Sequence, residues 1–599
     1  GNHIFKFGGE ITKEFKNENL GGNSAAGSFG FAATQTQGLV GTSTVTGTGD
    51  SFASFLLGRA NSFSEAQFDP RVRFRFGRTE FFAQDTYRIR PNLTLDFGVR
   101  YQYFRPVKDV DNLLVTFDPA LYRPVNPATD CATLTCNALI TSRVDPLNGI
   151  ARAGVNSRFG DAVYPSDKNN FSPRVGLAYQ PTFESGIGRT LFGSPGKSVI
   201  RAGYGLYFDQ PLVGIFENAT FFTPPVNTAV GFTSTPTNVI TFSNIRTLFN
   251  DSSIVGATFP TRNLGIGGAI APDFKTPESQ VYSLGIQREV FRNAVVDISY
   301  VGTKGDHLIR RRNINFVTPA DVLRVGAANI NANRPFIGFS NIIYYETSAK
   351  SRYNGLLSSF NYRLQEGFTI TLAYTFSKTL TDSTNDRDAI DDPQNPFDTS
   401  QEYAEARTSR PHVFSASYVY ELPFFRKSEN SLVRLLLGGY QISGITQIES
   451  GAPVPRVVIS ATDQASGTRG IYPNVISDPR GGLAGTIDPV SGLPFVFDPT
   501  AFENPALGQF GNLGRAFARQ RGRNQTNLAI SKQFYFNTER TVYVQLRAES
   551  FNLFNTTQFL GANAARPTQG TDVLLNSTFG RPTATRLPRE FQFGAKFYF

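Results

Sequence analysis

Several residue types with characteristic chemistry are scarce or absent in this chain. Its 599 residues include no Trp, no Met, two Cys and three His. His3, His307 and His412 are far apart in sequence, and no two of them have the spacing of metal ligands. No G-x-S-x-G motif marks a hydrolase nucleophile, and the segment "LFGSPGKS" has Leu191 where a phosphate-binding loop needs its first glycine. The sequence therefore predicts a protein that is not an enzyme.

Long hydrophobic runs are also lacking. The most helix-like apolar stretches, "SFASFLLGRAN" and "SLVRLLLGGY", carry charge and are much shorter than the roughly 20 residues that a membrane-spanning helix needs. If the chain spans a membrane, it must do so as a closed β-barrel, because only helices and barrels pair every backbone group in lipid. The formal charge of +10 is spread along the chain, which excludes a dedicated nucleic-acid surface.

Alternation of apolar and polar residues is what this sequence has in abundance. In the terminal "FQFGAKFYF", Phe591, Phe593 and Phe597 share one parity, and successive strand residues point to opposite faces. Stretches such as "NLTLDFGVRYQYF" and "GFTITLAYTF" repeat the pattern. About fourteen strands are predicted in this way, at 3–13, 80–89, 92–104, 170–180, 198–209, 280–290, 293–302, 352–363, 367–380, 411–422, 437–450, 524–534, 540–554 and 588–599.

The connections between these predicted strands alternate between long and short. Seven long connections follow the odd-numbered strands, and six short ones follow the even-numbered strands before the last. Outer-membrane barrels have short periplasmic turns and long extracellular loops. The sequence therefore predicts an all-β fold, a transmembrane antiparallel β-barrel in the bacterial outer membrane, with residues 1–599 as a single barrel domain. The apolar faces would contact outer-membrane lipid.

The chain resembles the barrel of TonB-dependent outer-membrane receptors, in particular the Oar-like branch. The resemblance rests on "FFAQDTYRIRPNLTLDFGVRYQYF", "NFSPRVGLAY", "SYVGTKG", "TLAYTFSKTLTD", "LGGYQISGI", "QLRAESFNLFN" and "FQFGAKFYF", in this order. It implies a 22-stranded barrel, an internal plug domain and a TonB box. Because this chain starts at Gly1 rather than Met and shows neither plug nor TonB box, we expect it to be the C-terminal part of such a barrel.

The resemblance implies a function as well. A receptor of this type takes up or exports a bulky solute, and the inner-membrane TonB complex drives it through the N-terminal region that is missing here. Two other functions stay open on the sequence: a passive channel of about fourteen strands closed on itself, and a surface-binding protein that acts through its long external loops. The transported solute is not readable from the sequence.

Charged residues on the polar parity of the strands are candidates for the lining of a lumen. They would face a plug or a substrate path and stabilise it through ion pairs; the plain alternative is solvation of a wet interior. These lumen-lining candidates are Asp96, Arg100, Arg174, Arg201, Asp297, Arg547 and Glu549.

Three features of the predicted external loops suggest further contacts. An acidic run contains Asp382, Asp386, Asp388, Asp391 and Asp392, and closely spaced carboxylates suit Ca²⁺, although the sequence favours a solvated loop paired with Arg387. The segment "LIRRRN" places Arg310, Arg311 and Arg312 at the outer end of a strand, where they contact lipopolysaccharide phosphates or simply face solvent. Cys131 and Cys136 are predicted to form a local disulfide, since disulfides persist in this oxidising compartment.

Overall fold

The fold is described from a computed structural model of the chain. The structure describes residues 1–19, 27–40, 43–45, 47–66, 71–126, 147–221, 223, 229–234, 239–245, 264–326, 330, 333–364, 367–383, 392–454, 456–459, 471–536, 539, 541–566, 574 and 578–599. Within these residues, every helix is too short or too polar to cross a bilayer.

Fourteen long strands, labelled β1 to β14, form one sheet. Each strand is antiparallel to the next along the chain, so the order in space is the order in sequence. The strands are β1 His3–Asn19, β2 Arg71–Arg90, β3 Leu93–Asp109, β4 Phe171–Tyr179, β5 Ser198–Phe208, β6 Glu278–Phe291, β7 Ala294–Asn313, β8 Phe339–Leu364, β9 Phe368–Thr381, β10 His412–Glu421, β11 Tyr440–Glu449, β12 Arg523–Tyr535, β13 Tyr543–Phe551 and β14 Glu590–Tyr598. All fourteen predicted strands are present.

The connections sort by length as predicted, and the seven long ones all leave the same end of the sheet. In the part of the chain that the structure describes, helices occur only in connections. They are α1 Ser51–Leu56, α2 Gly186–Phe192, α3 Gly214–Phe221, α4 Pro319–Val325 and α5 Ser431–Leu437, together with the 3₁₀ turns Ala33–Thr36, Pro119–Leu121, Ser400–Glu402 and Pro499–Ala501. Helices α1 and α5 lie in the two helix-like stretches of the sequence, and they are only 6 and 7 residues long.

Short strands stiffen the long connections. Leu264–Ile270 runs parallel to the start of β8, and Ala404–Glu405 pairs with the end of β9. The others are Ser28–Gly30, Leu39–Val40, Ser43–Thr44, Arg59–Ala60, Ser62–Ala66, Val115–Phe117, Ile150–Arg152, Ala229–Thr233, Ile240–Thr241, Asn474–Val475, Phe502–Glu503, Phe559–Leu560 and Ala584–Thr585.

The strand register separates an apolar face from a polar face across the whole sheet. Residues directly opposite each other on neighbouring strands share a face. Leu95 lies between Tyr87 and Leu177 on the apolar face, where Phe7 and other large side chains stay exposed at the surface. We call the apolar face the membrane face and the polar face the interior face.

The sheet has two free edges. Strands β1 and β14 each pair with one neighbour, and no ladder joins them to each other in the described part of the chain. Both are exposed along nearly their whole length: Phe7 is 85% exposed and Phe593 is 79% exposed. In the described residues the fourteen strands therefore form an open sheet rather than a closed tube.

Four strands, β1, β2, β7 and β8, extend well beyond their predicted ends on the side of the long connections. There the connections fold over the sheet and form an outer layer with its own hydrophobic cores. One core joins Phe74 of β2 to Phe216 of α3 and to Tyr345 of β8. Two further cores form around Phe117 and Phe497. The long connections are thus packed structures.

Candidate functional site: the interior face of the sheet

All seven lumen-lining candidates lie on the interior face. Their register shows it, because each stands opposite small or polar residues of the neighbouring strands, with Phe82 opposite Arg100 as the exception. Asp96 lies opposite Thr86 and Gly176, Arg100 opposite Phe82 and Ser172, Arg174 opposite Gly98 and Gly205, Arg201 opposite Ala178 and Gly285, Asp297 opposite Gln287 and Ser359, Arg547 opposite Ser531 and Gly594, and Glu549 opposite Ala529 and Gln592. That this face lines a lumen stays a prediction.

Only three of the seven meet in one place. Asp96, Arg100 and Arg174 line a groove of about 650 Å³ on the interior face of β1 to β6. Its floor is low because glycines stand where other strands carry side chains. A methyl group at Gly176 would lie 3.8 Å from its nearest neighbour, and one at Gly203 would lie 3.4 Å away. Neighbouring atoms therefore do not force glycine at these positions, and the missing side chains leave room for a bound molecule.

One side of the groove carries ion pairs that the sequence analysis did not identify. Glu80 of β2 is almost fully buried; it accepts hydrogen bonds from the guanidinium of Arg100 and, at 2.9 Å, from Gln102. Arg78 lies 3.3 Å from Glu10 of β1. The parity rule that identified Arg100 would also have identified these residues, but the alternation of β2 is irregular.

The other charges of the groove are mostly positive and lack a carboxylate partner. Arg174 lies over the ring of Tyr207, with its guanidinium carbon 4.4 Å from the ring centre. Lys6 lines the same groove. Arg201 lies on β5 outside the lining of the groove and donates a hydrogen bond of 3.2 Å to Gln287. In the described part of the chain none of the three has an ion-pair partner, so this section of the interior face carries a positive excess.

The remaining candidates form local contacts on other strands. Asp297 accepts a hydrogen bond of 2.7 Å from Ser299, and Arg547 lies 2.6 Å from Glu549 on the same strand. These residues lie on β7 and β13, outside the groove. These candidates are therefore scattered along the interior face outside the groove.

One carboxylate breaks the pattern of β2 because it lies on the membrane face. Asp85 stands opposite Phe5 and Phe97, and an isolated charge there would be costly. It is 2.8 Å from Nδ1 of His3, whose ring stacks 4.1 Å from that of Tyr87. The contact with His3 gives one carboxylate oxygen of Asp85 a partner. The position of Asp85 on the membrane face explains why β2 read as a weak strand in the sequence.

The three adjacent arginines of "LIRRRN" are engaged inside the protein. Arg310 lies 2.9 Å from Asp382, Arg311 lies 3.6 Å from Asp392, and Arg312 makes a 2.8 Å contact with Glu346. Arg310 is only 5% exposed. The interpretation of this segment as a solvated strand end is therefore wrong for Arg310, because β7 continues into the outer layer. A contact with lipopolysaccharide through these arginines stays a prediction.

These pairs also bear on the Ca²⁺ candidate. Asp382 and Asp392, the first and last residues of the acidic set, already face arginines, whereas the sequence had assigned Arg387 as their partner. Asp386, Asp388 and Asp391 lie outside the described residues, as do Cys131 and Cys136. Among the residues that the structure describes, no group of three or more His, Cys, Asp or Glu is placed to hold a metal ion.

Buried polar contacts lock the connections of the outer layer together. Glu402 accepts hydrogen bonds of 2.9 Å and 3.0 Å from the hydroxyl of Tyr472, and Arg515 lies beside it at 3.9 Å. Burial, reinforced by the Glu402 charge, raises the pKa of Tyr472, so the hydroxyl stays a donor. Three separate segments of the outer layer meet at this cluster.

A second buried pair joins the last two long connections. Nε of Arg581 lies 2.8 Å from a carboxylate oxygen of Asp488, and both side chains are buried. Hydrogen bonds from Ser491, from the backbone and from Arg581 hold the pKa of Asp488 at about 2. The charge of Asp488 in this pair is therefore lost only at strongly acidic pH.

Comparison with known proteins places the chain in a family. The family model described as an outer membrane beta barrel domain matches residues 1–592. The chain belongs to this family of outer-membrane β-barrel domains. The predicted all-β transmembrane barrel and its outer-membrane location are thereby confirmed, and with them the barrel part of the resemblance to TonB-dependent receptors. A comparison with curated proteins gave no significant match.

Similar solved structures include three outer-membrane proteins. The outer membrane transporter YddB from Escherichia coli is 10% identical over 100% of this chain and 52% of its own, with a TM-score of 0.48. The siderophore receptor PiuA from Acinetobacter baumannii is 11% identical over 100% and 53%, with a TM-score of 0.40. The ferripyoverdine receptor of Pseudomonas aeruginosa is 10% identical over 89% and 40%, with a TM-score of 0.40. The chain thus spans about half the length of these structures, or less.

Proposed function

We propose that this chain forms part of the wall of a TonB-dependent outer-membrane transporter. The transporter moves a bulky solute through the barrel, by uptake or by export. The observation that carries the proposal is the open sheet with a polar interior face. A passive channel of fourteen strands needs a ladder between β1 and β14, and the described residues contain none. In lipid, each unpaired backbone group costs several kcal/mol, so both edges require further strands. A wider barrel meets that requirement, and the resemblance implies one of 22 strands.

The interior face supports the same proposal. A wide barrel leaves a lumen that something must fill or regulate. The groove beside Arg174 and Gly203 is large enough for part of a solute or for a segment of a plug. Its unpaired cations suit a carboxylate or another anionic group on that occupant. Energy from the TonB complex then serves to move the occupant and release the solute.

Conductance measurements separate this function from a passive channel. The purified chain is reconstituted in a planar bilayer, and the current is recorded at fixed voltage. We expect no insertion or erratic leakage, because the sheet has two free edges. Stable, uniform open channels would show that fourteen strands close by themselves and would replace the transporter by a passive channel.

A growth experiment tests the dependence on TonB. Bacteria that carry the natural gene are grown on a panel of bulky nutrients, and strains lacking this gene or lacking TonB are compared with them. On any nutrient that requires this protein, loss of TonB should give the same defect as loss of the gene. Growth that needs the gene but survives without TonB would contradict an energised transporter.

A further inference from the structure

A group of basic residues lies on the membrane face of three neighbouring strands. Lys304 of β7 stands directly opposite Arg352 of β8, and Lys378 of β9 stands opposite Asn354, two residues further along β8. Lys350 lies two residues before Arg352 and therefore shares its face. All four side chains are exposed. We call Lys304, Lys350, Arg352 and Lys378 the basic rim patch.

The height of the patch is given by the lengths of its strands. Lys304 lies ten residues beyond the first residue of β7, Lys378 ten residues beyond the first residue of β9, and Arg352 twelve residues before the end of β8. These counts start at the short turns. Because a tilted strand crosses the bilayer in about 9–11 residues, the patch lies at the outer boundary of the hydrocarbon.

The residues beneath the patch agree with this placement. Tyr300, Leu356 and Tyr374 occupy the same face of the same three strands. Each lies four positions closer to the short turns than the nearest basic residue of the patch on its strand. Basic side chains at the outer ends of such strands extend toward the polar headgroups. Below the cations, β7 and β9 carry a tyrosine and β8 carries a leucine on the same face.

The patch carries a net positive charge. Lys304 has a partner, Asp306, at 2.6 Å. In the described part of the chain, Lys350, Arg352 and Lys378 have no carboxylate partner for their charged groups. Arg310 and Arg312, which lie above the patch, are neutralised by their own carboxylates. The excess is therefore three positive charges at one level of the membrane boundary.

The charge is confined to these strands among the nearest parts of the wall. On the membrane face of β3, β5 and β6, at the same distance of ten or eleven residues from the short turns, stand Tyr103, Phe208 and Gln280. Lys13 of β1 stands at the same level of this face, but it is a single cation. Four basic residues gathered on three neighbouring strands therefore indicate a localised ligand.

A polar cavity of about 560 Å³ opens directly above the patch. Lys350 lines it together with the hydroxyl-bearing Ser348, Ser400 and Tyr403 and the ring of Phe397. Phe397 is 58% exposed. Hydroxyl groups and exposed aromatic rings suit a sugar, just as the cations below suit a phosphate.

We propose that the basic rim patch binds the phosphate-bearing headgroup of an outer-leaflet glycolipid, with the sugar in the cavity above it. The cations contact the phosphates at the level where such headgroups lie, and the acyl chains follow the apolar face below. This assignment depends on the membrane placement of the barrel and not on transport, so it can fail or hold independently of the proposed function.

Native mass spectrometry of the detergent-solubilised protein tests the assignment. The probes are bisphosphorylated lipid A, its dephosphorylated form and phosphatidylethanolamine. Because each cation near an anionic membrane surface contributes binding that corresponds to about a fivefold change in affinity, the triple variant K350Q/R352Q/K378Q should bind lipid A about a hundredfold more weakly. Dephosphorylated lipid A should bind the wild type about as weakly.

Two control variants make the result specific. R174Q/R201Q/R547Q removes three positive charges from the interior face and should bind lipid A like the wild type. K350R/R352K/K378R keeps the charges of the patch and should also bind normally. Unchanged binding by the K350Q/R352Q/K378Q variant, or an equal loss in the interior variant, would overturn the proposal. Displacement of lipid A by an equal concentration of inorganic phosphate would reduce the patch to a simple anion site and would overturn it too.

Discussion

Replacing Leu372 by Arg should destabilise the protein strongly, because this side chain lies near the middle of the membrane face. Leu372 is the fifth residue of β9 and stands between Phe360 and Ala416. A strand tilted by about 40° gains roughly 2.5 Å of height per residue, so Leu372 lies about 10 Å above the short turn. The apolar band is about 25 Å tall, and Arg near its midplane costs about 2–4 kcal/mol. We expect the free energy of unfolding to fall by this amount.

Two matched substitutions on the same strand distinguish the effect of the face from the effect of depth in the membrane. Thr371→Arg places the same charge on the interior face, between Asn361 and Ser417, and should cost well below 2 kcal/mol, since polar surroundings accept it. Phe376→Arg keeps the membrane face but lies about 20 Å above the turn, close to the outer boundary, where the charge should cost only about 0–1 kcal/mol beyond lost packing.

The three variants are made in the product of the natural gene and reconstituted in phospholipid vesicles. Urea unfolding, followed by heat-modifiable migration in gels, gives these free energies. The chain has no Trp, so Trp fluorescence cannot serve as the signal. Equal costs for Leu372→Arg and Thr371→Arg would refute the assignment of the two faces. A cost for Phe376→Arg that matches Leu372→Arg would refute the depth derived from strand length.

Three further predictions concern the ends of the barrel. In a Cys131→Ser/Cys136→Ser background on intact cells, a membrane-impermeant maleimide should label Val490→Cys in a long connection but not Lys427→Cys in a short turn; the reverse pattern would invert the topology. Pepsin should cleave the chain around Asp488 faster as the pH falls from about 4 to about 2, because the pKa of Asp488 in the folded protein is about 2, below its ordinary value, and the ion pair is lost on protonation. The Asp488→Asn variant should already be cleaved fast at pH 4. Cleavage of this variant at the wild-type rate at pH 4 would contradict the prediction. Mass spectrometry without reductant should show Cys131 and Cys136 bonded to each other, and free thiols in fresh membranes would exclude it.

The membrane-spanning parts of the strands were predictable because only one face of each contacts lipid. That condition imposes the alternation seen in Leu93, Leu95 and Phe97, and it fixed the parity of all seven interior candidates. The outer halves of the long strands escaped prediction for the opposite reason. At the start of β8, Ile342, Ile343, Tyr344 and Tyr345 are all buried, so both faces are apolar and alternation disappears.

The charged pairs of the outer layer could not be predicted for a different reason. Arg310 and Asp382 are 72 residues apart, and nothing local in either segment specifies the other. The same holds for Asp488 and Arg581. Parity reports the face of a single strand, whereas these contacts depend on how separate connections fold against one another. By contrast, Glu80 was within reach of the parity rule and was missed because Asp85 disturbs the pattern of β2.

The outer layer has a consequence for how the protein assembles. Hairpins between consecutive strands can form as soon as their residues enter the membrane, but the layer is joined by contacts such as that of Tyr344 with the carbonyl of Phe117, which are 227 residues apart in sequence. Contacts of such long range form late, because the intervening chain must first be placed. Until β8 is inserted, Phe117 and its neighbours remain uncovered on the cell surface. The assembling barrel thus passes through a stage in which its outward-facing connections expose hydrophobic surface and are accessible to proteases. The time between the insertion of β3 and that of β8 sets how long this stage lasts.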